Sequence, residues 1–328
     1  MEEKIKVSIP ESIYNILVKD AKDFLITHED GSYNFNLFLN KLITNYYQTF
    51  SLADEEIRNE IAKYLPKMKT DERSMTISQI LLTIEKHQNL NLKKEKKVII
   101  AFKPTKLSLD AISYINNHLI VDESLASYYR RLFISYSLKS QNEREKIIFK
   151  PTLELIEKAI TKHKQVHLFL TSKANYDSCS LYALAASKDE LFNYVLLEIN
   201  QKPFTLRLAK IERLLILNTE AKFEDMNVRG FEKAIKYGPQ YTIWPDESEP
   251  VKIRLTKEGL KLYQRIYLYR PEYSEVNDGD IYTFLGPYNQ IIQYFRRFGQ
   301  EAIVLSPLAV KNKLSGFYRF AYKAYIHN

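Results

Sequence analysis

Residues 4–46, KIKVSIPESIYNILVKDAKDFLITHEDGSYNFNLFLNKLITNY, decide how the front of this chain folds. The first six alternate, so Lys4, Lys6 and Ser8 project to one side of a strand and Ile5, Val7 and Ile9 to the other. Pro10 ends the strand and suits a first helical turn, after which Ile13, Ile16, Leu17, Ala21 and Phe24 recur every three or four positions. This spacing predicts a helix ending near His28. Asp30-Gly31-Ser32 reads as a turn and Asn34 as a cap, followed by the helical stripe Phe35, Phe38, Leu39, Leu42, Ile43 and Tyr46. One short strand with two amphipathic helices leaves an edge unpaired and faces uncovered, so the unit needs a second copy of itself.

The chain carries one. Residues 96–138, KKVIIAFKPTKLSLDAISYINNHLIVDESLASYYRRLFISYSL, repeat the order strand, helix, turn, helix. Aligning Phe35 with Leu125 matches Phe38 with Tyr128, Leu39 with Tyr129, Lys41 with Arg131, Leu42 with Leu132, Ile43 with Phe133 and Tyr46 with Tyr136. Val7 and Phe35 are 28 residues apart, Val98 and Leu125 are 27, and Asp122 or Ser124 supplies the second cap. A ribbon can therefore form between residues 4–9 and 96–102, with Lys97 and Ile99 at the places of Lys6 and Ser8. Between the units, residues 52–90 read as two helices and Leu90 to Lys97 as a polar, lysine-rich linker.

In order and spacing, the unit resembles the ribbon-helix-helix family. That resemblance implies an antiparallel ribbon lying in a major groove, with the second helix aimed at a phosphate. Lys4, Lys6, Ser8 and Lys97 would then face the groove, and Ser32 with Asn34 would sit at the phosphate anchor.

Composition agrees with a binding protein. The 328 residues leave room for two or three domains, and 45% apolar with 27% charged residues is ordinary globular usage. The net charge of +8, spread as +3 over residues 1–150 and +5 over the rest, favours a polyanionic partner. The 24 Tyr, 17 Phe and single Trp serve cores and base stacking alike. No apolar run reaches bilayer length, and the charged start MEEKIKVSIPESIY lacks an apolar core, so neither a signal peptide nor a membrane segment is expected. With Cys179 alone there is no internal disulfide, which fits a cytoplasmic setting.

From Lys146 the pattern changes. Ile147 to Phe149 is a short apolar run, Leu153 to Thr161 an amphipathic helix, and five strand-like runs follow at 166–171, 180–186, 191–199, 204–211 and 213–219. They describe a small twisted barrel or sandwich. The segment resembles the WYL domain, an Sm-like five-stranded module of bacterial regulators. The family tripeptide is matched only at its centre, by Asn193-Tyr194-Val195, and its later Phe-Arg-Leu-x-Arg-Ile element by Leu206-Arg207-Leu208-Ala209-Lys210-Ile211. The resemblance implies a positively charged pocket for a nucleotide or nucleic acid built from Arg207, Lys210 and Tyr194, joined by Tyr182 and Lys173. Lys210 stands where the family has a second arginine, and an ammonium lacks the guanidinium's bidentate fork.

Further on, strands at 251–256, 281–285 and 302–305 alternate with helices at 257–269 and 287–298, and a last helix spans 308–325. PYNQIIQYFRRFG and AIVLSPLAVKNKL resemble the C-terminal extension of WYL proteins, which implies a small α/β homodimerisation module.

Catalytic and metal chemistry is thinly represented. His163-x-x-x-His167 lacks a third ligand, Cys179 has no nearby histidine, Glu247 with Glu249 reads as a solvated pair, and there is no phosphate or dinucleotide loop. The expectation is a multidomain α+β protein without cofactor or metal, acting by binding and not as an enzyme. Its parts are a ribbon-helix-helix unit (1–50), a helical connector (51–95), a second repeat (96–140), a WYL barrel (141–235) and a dimerisation module (236–328). Three roles fit. One is a transcription regulator binding duplex DNA. Another resembles the WYL accessory proteins of type VI-D CRISPR loci, which bind single-stranded RNA and modulate an RNA-targeting effector. The third is a protein-interaction module without nucleic-acid affinity.

Overall fold

The computed structural model describes residues 4–88, 95–120, 123–241 and 249–326. The linker expected at Leu90 to Lys97 lies largely outside these residues, as do Asp122 and Glu247. Two compact units divide at Pro151 and Thr152. The protein is mixed α+β, with eleven α-helices and three antiparallel sheets among the described residues.

In the first unit, β1 (Ile5–Pro10) pairs antiparallel with β2 (Lys97–Phe102), so the ribbon forms within one chain. Alternation buries Val7 and Ile9 from one strand and Ile100 and Phe102 from the other. Each strand leads into a pair of helices. After β1 come α1 (Glu11–Asp23) and α2 (Phe35–Lys63); after α3 (Thr70–Gln88) and β2 come α4 (Leu109–Tyr114), a π-helical turn at Ile115–Leu119, and α5 (Leu125–Ser137).

The first helix stops at Asp23, short of His28. Leu25 adopts φ 55° and the Ile26 amide bonds back to the Ala21 carbonyl, while Thr27 bridges to Tyr33 around the expected turn, where Gly31 has φ 83°. α2 is one helix of 29 residues, so the boundary expected at residue 50 falls inside it.

The two apolar stripes face each other. Phe38, Leu39, Leu42, Ile43 and Tyr46 of α2 and Tyr128, Tyr129, Leu132, Phe133 and Tyr136 of α5 are all buried. Tyr46 and Tyr136, which occupy equivalent places in the two repeats, meet with ring centroids 6.3 Å apart.

Polar clamps complete the unit. Arg144, on α6 (Gln141–Ile148), grips the fully buried Asp20 of α1 through Nε at 2.6 Å and Nη2 at 3.0 Å, and the Tyr136 hydroxyl donates to the same carboxylate at 2.8 Å. Buried Asn40 donates to the Asn36 and Lys103 carbonyls and accepts from Thr105 N and the Ser108 hydroxyl, which ties the segment after β2 to α2.

In the second unit, after α7 (Lys150–Thr161), the five expected strands are all present: β3 (Lys164–Leu170), β4 (Asn175–Ala186), β5 (Asn193–Ile199), β6 (Lys202–Arg207) and β7 (Ile211–Glu220). They form an open sheet in the order β6-β5-β4-β3-β7, not the closed barrel expected, because β6 and β7 are its two edges. α8 (Asp225–Tyr237) covers one face, with Phe231 and Ala234 on Leu196.

The chain then runs β8 (Val251–Leu255), α9 (Lys257–Arg265), β9 (Tyr273–Asn277), β10 (Ile281–Phe284), α10 (Tyr288–Phe295), β11 (Ala302–Ser306) and α11 (Leu308–Ile326). Its four strands are ordered β11-β8-β10-β9 over a core that includes Phe284, Ile291, Tyr294 and Phe295. β9 was not expected; all five of its residues are exposed, so it carries no apolar alternation to read.

Replacing Arg144 with Ala leaves the buried Asp20 carboxylate without a cation and with only the Tyr136 hydroxyl as a side-chain donor, and the expected loss is about 3–5 kcal/mol in chemical denaturation. Replacing Asp20 with Leu and Arg144 with Met together is expected to cost less than Arg144→Ala alone.

Candidate nucleic-acid interface

The register of the ribbon defines a pseudo-two-fold axis. Ser8 pairs with Ile99, and these two occupy the same place in their repeats, so the axis passes between them. Lys6, opposite Ala101, and Lys97, opposite Pro10, are then related by it. The inner residues are buried under the helices, and the outer face carries Lys4, Lys6, Ser8, Lys97, Ile99, Ala101 and Lys103. All four lysines are exposed, and among the described residues no carboxylate takes an outer position of the paired strands. Glu95, the counterpart of Lys4, instead accepts from the Ser12 amide at 3.0 Å in the first turn of α1. Arg130 of α5 holds the ribbon from behind, donating from Nε to the Ser8 carbonyl at 2.7 Å.

Ser32 and Asn34 come together at the start of α2, where both have internal partners. Asn34 Oδ1 accepts from Leu37 N at 2.9 Å as the cap, and its amide meets His28 Nδ1 at 3.2 Å. The Ser32 hydroxyl and amide donate to Asp30 Oδ1 at 2.6 and 2.9 Å, and these bonds hold the Asp30 carboxyl below its ordinary range. The caps of α2 and α5 match, since Ser124 accepts from Ser127 N at 3.2 Å.

The residues expected to line a pocket on the five-stranded sheet fall into three groups. Arg207 and Tyr194 are direct register partners on β6 and β5. The Arg207 guanidinium lies 3.3 Å from the Phe192 ring centroid, and the Tyr194 hydroxyl donates to the Glu190 carboxylate. Lys210 leaves the strand in a 3-10 turn at Leu208–Lys210. Leu208 and Ala209 are both buried in that turn. The Lys210 carbonyl accepts from Thr171 N at 3.0 Å, which sets this exposed lysine beside the β3–β4 turn that carries Lys173, also exposed, at φ 66°. Tyr182 packs away from both, stacked on Phe231 at 4.9 Å and edge-on to Phe223 at 5.5 Å under α8.

Several residues at these sites escaped the sequence. Lys103 was visible as the next step of the β2 alternation; Arg130, Phe192 and Glu190 act through partners that no local pattern shows. A cleft of about 710 Å³ between α2, α4 and α5, lined among others by Tyr47, Tyr114, His118 and Tyr128, was also unforeseen. Beside it, Arg131 binds Asp54 and Glu123, and Arg58 shares Asp54.

His163 sits in a turn at φ 49° and His167 in β3, stacked on Phe169 at 4.2 Å, so the two share no helical face. Among the described residues no cluster of three His, Cys, Asp or Glu could hold a metal ion, and no helix is long and apolar enough to cross a membrane.

No protein-family model and no curated protein matches the chain by sequence. Solved structures do match it, among them the following two. "Crystal structure of a CRISPR Cas-related protein" covers 100% of this chain and 95% of its own, with a TM-score of 0.63 and 18% identity. The proteasome accessory factor B/C of Arthrobacter aurescens covers 67% of this chain and 38% of its own, with a TM-score of 0.23 and 12% identity. The first shows that the whole fold of this chain has been seen before.

Burial, with the Asp177 carboxylate adding to it, pushes the Cys179 thiol up to about 12. At pH 8 the reactive thiolate is scarce, so iodoacetamide is expected to leave native protein unlabelled and to label it in denaturant, as read by intact mass.

Proposed function

We propose that this chain is a nucleic-acid-binding regulator whose intramolecular ribbon-helix-helix pseudo-dimer docks on duplex DNA. One observation carries this reading: a two-fold ribbon face with Lys4, Lys6, Lys97 and Lys103 exposed and, among the described residues, no carboxylate at its outer strand positions. Ammonium groups in that arrangement displace counterions from a phosphate backbone, and a two-stranded ribbon fits the width of a major groove. The helices supply the rigid backing, since Arg130 and the buried Val7, Ile9, Ile100 and Phe102 keep the outer side chains facing out.

In this reading the chain acts by binding and makes or breaks no covalent bond. The open five-stranded sheet serves as a WYL-type sensor, with Arg207 and Tyr194 as its nucleotide-facing pair. α11 supports pairing of two chains, because Phe320, Tyr322 and Tyr325 on it are 66%, 67% and 89% exposed.

A second reading is favoured by the similarity over the full chain to a CRISPR Cas-related protein. Here the chain is an accessory protein of an RNA-targeting CRISPR effector, and single-stranded RNA binds the sheet. A guanidinium backed by an aromatic ring, as Arg207 is by Phe192, suits stacking on unpaired bases.

Titrating labelled duplex DNA and unstructured RNA with the whole protein separates the two. If the ribbon holds the duplex, Lys6→Glu with Lys97→Glu weakens DNA binding and flattens the salt dependence of log K by about two units, one for each lost phosphate contact. Under the second reading Arg207→Ala weakens RNA binding, and the ribbon variant leaves it unchanged.

A further inference from the structure

Away from the ribbon face, the first unit holds a cleft of about 710 Å³ that plays no part in duplex docking. That is the size of a small-molecule site. Its walls come from both repeats. Tyr47 stands on α2, Tyr114 at the end of α4, His118 on the π-helical turn and Tyr128 on α5. A π-helical turn is a rare conformation found often at functional sites, and this one sets His118 against Tyr114 with ring centroids 4.7 Å apart.

Two properties of the lining fix the chemistry of a ligand. The first is shape. Tyr114 is tilted by 58° to Tyr47, at 6.0 Å, and by 42° to His118. Rings at such angles form corners around a compact group, whereas a planar base stacks between near-parallel faces. Tyr114 is 49% exposed, so much of its ring is open to a ligand.

The second is charge. Among the described residues no lysine lines the cleft, and its arginine, Arg58, is held by Asp54 at 3.0 Å and by the Ser78 hydroxyl at 3.0 Å. Arg131 beside it is taken by Asp54 and Glu123. An anion would meet no unpaired cation there. Glu55, exposed on the lining, has no ion-pair partner among the described residues, so Asp54, Glu55 and Glu123 outnumber Arg58 and Arg131 by one. Burial pushes the Tyr128 phenol up to about 12, so at neutral pH that residue offers a ring without a charge. The electron-rich face of an aromatic ring attracts a cation most strongly where water is partly excluded.

We infer that this cleft binds a small organic ammonium ion, with the rings of Tyr47, Tyr114 and Tyr128 around its alkyl groups and Glu55 balancing its charge. The bound cation bridges α2 to α4 and α5 and so stabilises the folded first unit. Neither duplex DNA nor RNA takes part in this binding.

Calorimetric titration of the full chain with choline and with spermidine tests the site. Two further probes accompany them: dimethylbutanol, the neutral carbon isostere of choline, and adenosine monophosphate, a base that carries an anion. At least one of the two cations is expected to bind saturably at millimolar concentration, one per chain, and to raise the melting temperature, while the other two probes do neither. Tyr114→Ala and, separately, Glu55→Gln should each weaken the cation about tenfold, and Tyr64→Ala, at a position 83% exposed and outside the lining, should leave it unchanged. Because Glu55 is exposed, its variant tests the site even where Tyr114→Ala lowers the stability of the unit.

Failure of both cations to bind at millimolar concentration overturns the inference. So does a cation that binds both cleft variants as tightly as wild type, since it then sits elsewhere. Dimethylbutanol binding as well as choline would assign the cleft to apolar groups, and adenosine monophosphate binding that is lost in Tyr114→Ala would assign it to bases; either result overturns it. No nucleic acid is present in these titrations, so their failure leaves duplex docking untouched.

Discussion

The pairing of β1 with β2 inside one chain is the constraint on which the first unit depends. A two-stranded ribbon is barely stable alone, and this one persists because its inner face is the roof of a helical core. Val7, Ile9, Ile100 and Phe102 form that roof, and the facing stripes of α2 and α5 close beneath it. Covalent linkage replaces an encounter between two molecules with closure of a loop, whose entropic cost grows only slowly with length. The ribbon is thereby independent of protein concentration.

Linkage also frees the two halves to differ. A ribbon built from two identical chains carries each side chain twice, whereas here the axis separates Ser8 from Ile99. The same divergence runs through the helices. Lys41 of α2 lies half-buried near the Phe149 ring, where burial lowers its pKa, while its counterpart Arg131 on α5 is bound by Asp54 and Glu123. The arginine recovers by ion pairing and hydrogen bonding what the lysine loses by desolvation, and its rigid fork ties α5 to α2. Shape is kept where the stripes meet, and chemistry is free to change where they do not.

Periodicity explains what was legible in the sequence. The stripes of α2 and α5 and the ribbon alternation were legible because burial imposes a period of 3.6 or 2 along the chain, and the strands of the open sheet because they are short apolar runs between polar turns. Where one face is not buried the signal fades: exposed β9 left no trace, and the charged second half of α2 looked like a separate helix. The 3-10 turn at Leu208–Lys210 was hidden for a different reason, since two adjacent apolar residues read equally as strand. Long-range pairs were beyond reach. Asp20 with Arg144 and Ser8 with Arg130 join residues more than a hundred positions apart, and only the folded chain brings them together.

The two cationic surfaces differ in the chemistry they offer. On the ribbon, four ammonium groups stand on flexible stems in open solvent, which suits the spaced point charges of a phosphate backbone. On the sheet, one guanidinium lies on the ring of Phe192 beside Tyr194, and Lys210 has turned off the strand. A planar phosphate clamp needs two converging forks, so a single ring-backed cation beside a tyrosine is better matched to the edge and face of a base. Polymer docking and base capture place different demands on side chains, and the proposed reading assigns them to two separate β elements.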